Sequence, residues 1–357
     1  MLAEGVFSAI TTPFYPDGDV YFRKLEHNVA RYSRTQLAGM TVLGSTGEAV
    51  MLSDVEQCEV LQIAMGAASA DKVMIAGVGQ ESVRQTLALA EYAAKLNYDV
   101  LLLRTPHFYR SQLHRTSGPQ LEMLTYYRTV ADHSPLPVLL YSVPAITLYE
   151  LPVEAIAELA QHSNIIGIKD SSGRPDRIAE IVAATNFVRR SVTVTPTFAA
   201  VTERMLHIEP EIPTQQLVTA EALGKGITAV ATAAPPSKLK TRQKDTGFAV
   251  LTGSASTMHS SLTAGASGAI LSFAACAPQC CYEVWTAWRE GDTALAEEKQ
   301  RRIREVSIRI AGQLGVPGLK YACDLNGYYG GRPRLPLLPL TAEEQREVQV
   351  LMSDNRY

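Results

Sequence analysis

No apolar run in this 357-residue sequence approaches the roughly 18 residues needed to cross a bilayer, so a helical membrane span is not expected. An excess of charge is also missing. Thirty-three Lys and Arg against 36 Asp and Glu leave a formal net charge of −3, so neither nucleic acid nor an anionic membrane is expected as partner. Cysteine is scarce, with Cys58, Cys276, Cys280, Cys281 and Cys323 only. Their number is odd, and no histidine or fourth cysteine stands near the 276–281 group in a zinc-like spacing. We therefore expect no metal and read them as small buried hydrophobes in a reducing compartment. Met1–Val6 lacks a basic stretch followed by an apolar core, and also the Arg- and Ser-rich look of a transit peptide. The expectation is a cytoplasmic protein. No Gly-rich dinucleotide fingerprint follows the first strand-like run.

What the sequence does have is alternation. Runs rich in β-formers occur at Gly5–Ile10, Gly39–Gly44, Lys72–Gly79, Asp99–Thr105, Pro137–Val143 and Ile165–Asp170, and again at Phe248–Gly253 and Gly268–Ser272. Between them, apolar residues recur at helical spacing. Ser53 with Glu56 predicts a capping-box start for a helix to about Ala68. Ser82–Leu96, Pro152–Gln161 and Pro175–Thr185 read as further helices. Eight strands separated by single helices predict parallel pairing and a closed (β/α)₈ barrel, with a doubly wound open sheet as the alternative.

The rhythm breaks from about Val188 to Thr246, between the sixth helix and the seventh strand. This insertion contains pieces such as Ala199–His207 and Gly226–Ala233, and ends in a basic stretch, Pro235–Lys244, that reads as a linker. Beyond it we expect helices at Pro278–Glu290, Thr293–Leu314, Pro317–Asn326 and Ala342–Met352. The implied organisation is a barrel over 1–290, interrupted at about 188–246, and a helical C-terminal extension over 291–357.

Barrel chemistry lies at the C-terminal ends of strands. The sixth strand, Ile165-Ile-Gly-Ile-Lys169-Asp-Ser, ends on a lysine. Such a lysine is either snorkelling or ion-paired, or it is a desolvated amine able to attack a carbonyl and form a Schiff base. Its companions favour the second. The second strand ends in Gly44-Ser-Thr-Gly-Glu48, a tight turn whose hydroxyls and N–H groups suit a carboxylate. The fifth ends in Tyr141-Ser-Val-Pro144, which sets a phenol one strand from the amine.

These three motifs, in this order and spacing, resemble the dihydrodipicolinate synthase/N-acetylneuraminate lyase superfamily of class I pyruvate-dependent aldolases. The resemblance covers Val6–Asn186 and Phe248 to about Leu340. With Gly315-Val-Pro-Gly-Leu-Lys320 and Gly327-Tyr-Tyr-Gly-Gly331, the chain is similar above all to 4-hydroxy-2-oxoglutarate aldolase. The resemblance implies Lys169 as the Schiff-base lysine, Tyr141 as the proton-moving phenol and Ser45 as the hydroxyl linking two relay tyrosines. It implies Ser45 and Thr46 as the carboxylate site, and Gly253 and Ile270 as walls of the pyruvate pocket.

It further implies a homotetramer of two tight dimers, a 2-oxo acid substrate and no cofactor. There are two departures. The second relay tyrosine falls on Phe108 when counted without a gap, with Tyr109 adjacent as the residue to fill that role. The arginine that holds the aldehyde's carboxylate in the lysine-biosynthesis enzymes is here Ile146, and an apolar residue cannot pair with a carboxylate. Arg189 or Arg190 of the insertion are the candidate replacements. We expect a lyase forming or cleaving a C–C bond with pyruvate as one partner. Alternatives are 4-hydroxy-tetrahydrodipicolinate synthase and a 2-keto-3-deoxy sugar acid aldolase or dehydratase. A non-enzymatic alternative is a weakly active homologue that binds a partner, with the insertion covering the site.

Overall fold

The computed structural model describes residues 1–109, 112, 121–207 and 239–356. Among the described residues ten strands are present: β1 (Gly5–Ala9), β2 (Gly39–Val42), β3 (Val73–Gly77), β4 (Val100–Arg104), β5 (Val138–Ser142), β6 (Ile165–Asp170), β7 (Arg190–Val194), β8 (Arg242–Thr246), β9 (Ala249–Thr252) and β10 (Gly268–Leu271). Eight close into a barrel in the order β1-β10-β9-β6-β5-β4-β3-β2. Every pair in it is parallel. The protein is a (β/α)₈ barrel, as the alternation predicts.

Side chains alternate across the barrel wall, as period-2 strands require. Phe7, Ile75, Leu102, Leu139, Leu251 and Ile270 fill the interior. Val6, Met74, Leu101, Leu140, Ile168 and Leu271 point outward under the helices. Both faces are therefore buried, which is why the strands read as unbroken apolar runs. Glycine is required where two strands approach closely. A Cβ on Gly39 would lie 1.9 Å from the Val73 carbonyl oxygen, and one on Gly167 would lie 2.3 Å from that of Ala249.

The helices begin where the caps predict. Ser53 accepts from the Glu56 N–H while Glu56 accepts from the Ser53 N–H, opening Asp54–Ala67. Ser82 caps Val83–Lys95. The helices Val153–Leu159, Pro175–Ala184 and Pro278–Arg289 follow the expected positions. One expectation is corrected: Thr293–Leu314 is not a single α-helix. It is α-helical to Ser307 and then widens into a π-helical turn, Ile308–Gln313, before the helix Gly315–Leu325.

The insertion is also corrected in position. Its ends, β7 and β8, form an antiparallel ribbon, so part of the stretch read as a linker is strand. Pro235–Ser237 and the Gly226–Ala233 piece lie outside the described residues. Val192 and Val194 pack on Leu2. The Thr202 hydroxyl donates to the Ala70 carbonyl, and Arg204 reaches Asp99 at 3.4 Å. Lys244 pairs with Glu4 at 2.6 Å. All these partners sit at the N-terminal ends of the barrel strands. The described part of the insertion therefore caps the end opposite Lys169 and does not cover it. The cause is topological, because an insertion between a helix and the next strand emerges at the N-terminal mouth. Among the described residues no helix is long and apolar enough to cross a membrane.

The C-terminal extension is tied to the barrel by polar contacts. The Asn28 side chain exchanges hydrogen bonds of 2.8 Å with the Tyr329 backbone in both directions. Arg334 donates to the Gly18 and Met51 carbonyls and pairs with Glu56 at 2.5 Å. That guanidinium, aided by the Ser53 cap, holds the Glu56 carboxyl down at about 2. A depressed carboxyl contributes stability above its unfolded value and loses it as pH falls through the folded one. We therefore expect Glu56→Gln to lower the urea midpoint at pH 6, with the deficit from the parent shrinking as pH falls from about 4.5 toward 2. A deficit that does not change with pH would show that this charge is not the tether.

Candidate active site

The pairing of β5 with β6 sets Tyr141 directly beside Lys169. Both side chains project into the barrel, and both are almost fully buried. The Lys169 Nζ lies 4.2 Å from the Tyr141 ring centroid. Tyr141 Oη is 3.1 Å from Ser45 Oγ, so the turn after β2 meets the end of β5. Burial pushes the Tyr141 phenol up, but the Lys169 charge and hydrogen bonds with Ser45, Lys169 and Ser171 outweigh it. The net result is below the ordinary phenol value. A phenol so placed gives up its proton more readily than one in water.

The Ser45–Gly47 segment forms a single tight helical turn that ends on Glu48 at φ 55. The first N–H groups of such a turn, those of Ser45 and Thr46, have no partner within it. They belong to the turn that Ser45 Oγ brings beside the phenol.

The next residue of β6, Asp170, points outward. It accepts from Arg177 Nε at 2.9 Å and from the Ser172 N–H at 3.0 Å. Arg177 also donates to the Leu151 carbonyl. This buried pair fixes the strand end that carries Lys169.

These groups open into a cavity of about 600 Å³ lined by Ser45, Thr46, Tyr141, Lys169, Gly253 and Ile146, among others. Lys169 is the one charged residue among its described lining. A larger cavity, about 700 Å³, lies at the other end near Arg190 and Gly247, and its lining includes none of Ser45, Thr46, Tyr141 and Lys169. Convergent polar groups identify a site better than volume does, and they lie in the smaller cavity.

Of the residues named from sequence, Lys169, Tyr141, Ser45, Thr46 and Gly253 come together. Ile270 does not line the cavity. It is fully buried among the interior apolar side chains, and Ser272, two residues on, lines the wall instead. Tyr109 is 58% exposed and Phe108 76% exposed, and neither reaches the cavity within the chain. Arg189 and Arg190 bond to backbone carbonyls at the N-terminal end, among them Val188 and Ile165, so they cannot supply a cation here.

Ser254, beside Gly253 at the strand end that the resemblance implies as a wall, lines the cavity too. Sequence reasoning assigned no role to Ser171 and Ser256, whose spacing carried no pattern. It also missed the π-helical turn, from which Ile308, Ala311 and Gln313 line the mouth. Such turns recur at functional sites, but hydrophobic periodicity does not reveal them.

The sequence model of the Dihydrodipicolinate synthetase family matches residues 2–189 and 213–355. The chain belongs to that family. It is 27% identical to the 4-hydroxy-tetrahydrodipicolinate synthase of Methanothrix thermoacetophila, over 98% of this chain and 97% of that one. Over 51% of its length it is 36% identical to the enzyme of the same name from Natronomonas pharaonis, covering 59% of that protein. In fold it resembles YagE, a prophage protein of the dihydrodipicolinic acid synthase family from E. coli K12 in complex with pyruvate. The TM-score is 0.75 at 21% identity, over 99% of each chain. As a member of this family the protein is an enzyme, a pyruvate-dependent lyase of the aldolase kind.

If Lys169 is the amine that this family member uses, incubation with pyruvate and borohydride adds one reduced pyruvyl group there. Lys169→Ala abolishes the adduct and leaves the fold intact. The check is intact mass with peptide mapping. An adduct that survives in the variant, or that maps to another lysine, would reject the assignment.

Proposed function

We propose that the protein is a Schiff-base lyase for a hydroxylated 2-oxo acid, with 4-hydroxy-2-oxoglutarate as the leading candidate. The observation that carries this reading is the constellation of a buried amine 4.2 Å from a phenol ring, with the phenol 3.1 Å from a hydroxyl. Lys169 Nζ attacks the ketone carbon, and loss of water gives an iminium. The carboxylate of the 2-oxo acid lies against the Ser45 and Thr46 N–H groups. The iminium draws the electrons of the C3–C4 bond as it breaks, releasing an aldehyde and leaving an enamine. Protonation of the enamine at C3 and hydrolysis then return pyruvate and the free amine. Tyr141 moves the proton at the carbinolamine and at the leaving oxygen, with Ser45 next in line. The lysine supplies the electrophile, so the cycle calls for no cofactor.

The second reading is 4-hydroxy-tetrahydrodipicolinate synthase, favoured by the names of the relatives. Ile146 weighs against it. It stands at the lip of the cavity, where a semialdehyde carboxylate would need a cation. We further propose a homo-oligomer, built as two tight dimers, in which the exposed pair Phe108 and Tyr109 meets a second copy. Tyr109 would then complete the relay from across that contact.

Tyr141→Phe should lower kcat by about 10²-fold or more, the usual worth of a positioned acid or base. An unchanged kcat would assign the proton transfer elsewhere. The two substrate readings separate in one preparation. Loss of a charge-assisted bond to a carboxylate costs roughly 1.5–3 kcal/mol, about one to two orders of magnitude in kcat/KM. Ile146 disfavours the distal carboxylate of either substrate, so it is the motif resemblance that carries the expectation that cleavage of 4-hydroxy-2-oxoglutarate outpaces condensation of pyruvate with aspartate semialdehyde. The reverse order would establish the synthase and leave the Schiff-base chemistry standing.

A further inference from the structure

Glu48 closes the turn that holds Ser45 and Thr46, and it does so in the left-handed region, at φ 55, where a non-glycine residue is strained. A glutamate there has no local reason to stay. Its side chain supplies a distant one. Glu48 and Lys320 are both fully buried and lie 2.6 Å apart. Glu48 Oε2 also accepts from the Arg334 N–H at 2.8 Å. Lys320 Nζ donates to the Arg332 carbonyl at 2.9 Å and sits 4.2 Å from the Phe14 ring centroid. Lys320 belongs to the helix Gly315–Leu325, whose Gly315, Val316 and Leu319 line the active-site cavity. The turn is pinned from its other side by the Thr12 hydroxyl, which donates to the Gly47 carbonyl at 2.7 Å.

A buried ion pair is a poor source of net stability, because desolvation consumes most of the attraction. Its geometric demand is the informative part. A carboxylate fixed by an ammonium and a backbone N–H has one place to be, and the backbone that bears it must follow. We propose that Glu48 and Lys320 are positioning residues: through them the C-terminal extension locks the Ser45–Glu48 turn in the shape that binds the substrate's 2-oxo carboxylate. The inference rests on the Schiff-base reading above. It gives the extension a role in substrate affinity, while Lys169 on β6 is left untouched.

Single variants would strand a buried charge, so the test uses the double variant Glu48→Gln with Lys320→Met, which removes both charges and keeps an acceptor for Arg334. Pyruvate is titrated in the presence of borohydride, and adduct per chain is weighed. The pyruvate concentration giving half-maximal adduct should rise tenfold or more. The adduct yield at saturation should stay within about twofold of the parent, because the amine is intact. A merely structural pair would lower the melting temperature and leave half-saturation where it was, and that result overturns the proposal. So does a loss of saturating yield without a change in half-saturation. Should the double variant not fold, Glu48→Gln with Lys320→Gln keeps two amides within reach and carries the same expectation. A parent chain that traps no pyruvate overturns both the Schiff-base reading and this inference. A parent that traps it, beside an unchanged variant, overturns this inference alone.

Discussion

The register between β5 and β6 is the constraint on which the site depends. Tyr141 faces Lys169 because Leu140 pairs with Ile168 and Ser142 with Asp170. Slipping either strand by one residue would turn its side chains to the other face of the wall. The amine would then point into the helix layer and Asp170 into the cavity. Two features resist such a slip. Gly167 sits where any side chain would strike the Ala249 carbonyl, and Asp170 is held on the outer face by Arg177. The alternation that buries the barrel on both faces thus also separates the proposed reactive amine from its support.

The two ends of the barrel carry different additions, and connectivity decides which goes where. The insertion leaves from a helix and returns to a strand, so it closes over the N-terminal mouth, its ribbon through Leu2 and Glu4 and its Thr202 through Ala70. The C-terminal extension begins after the eighth helix and folds back over the C-terminal mouth. There it provides part of the cavity lining through the π-helical turn and the start of the helix Gly315–Leu325. It also reaches Glu48 and Glu56 beneath the turn after β2. An addition on the first face is free to vary without touching chemistry, whereas an addition on the second is part of it.

The eight strands were legible in the sequence because a parallel strand buried on both faces is an unbroken apolar run, and little else in a soluble chain looks like that. The helix starts at Ser53 and Ser82 were legible because a cap is a local interaction. Lys169, Tyr141 and the Gly44–Glu48 turn could be placed because chemistry in a barrel is confined to strand ends. The rest depended on distance in sequence. Ile270 was assigned to the wall by the resemblance, but its side chain is fully buried among the interior apolar residues. Nothing local distinguished Thr293–Ser307 from the π-helical turn after it, because both continue the same apolar stripe. Tyr109 is exposed, and the role proposed for it depends on a second copy of the chain. The face taken by the insertion followed from the order of elements, a rule that applies only once the barrel is accepted.

Buried charge separates support from reactivity in this fold. Asp170 with Arg177 and Glu48 with Lys320 are each paired within 3 Å. All four are buried, and none contributes to the described lining of the active-site cavity. A buried ion that is fully paired has spent its attraction on geometry and has little left to offer a ligand. Lys169 is the exception. Among the described residues it faces a ring, hydroxyls and a cavity, with no carboxylate in ion-pair reach. In the proposed mechanism, an amine held by no carboxylate has no ion pair to break before it attacks a carbonyl. The arrangement that would be a defect in a structural lysine is what the proposed nucleophile requires. It is the absence of a carboxylate partner among the described residues, more than burial itself, that sets Lys169 apart from Lys320.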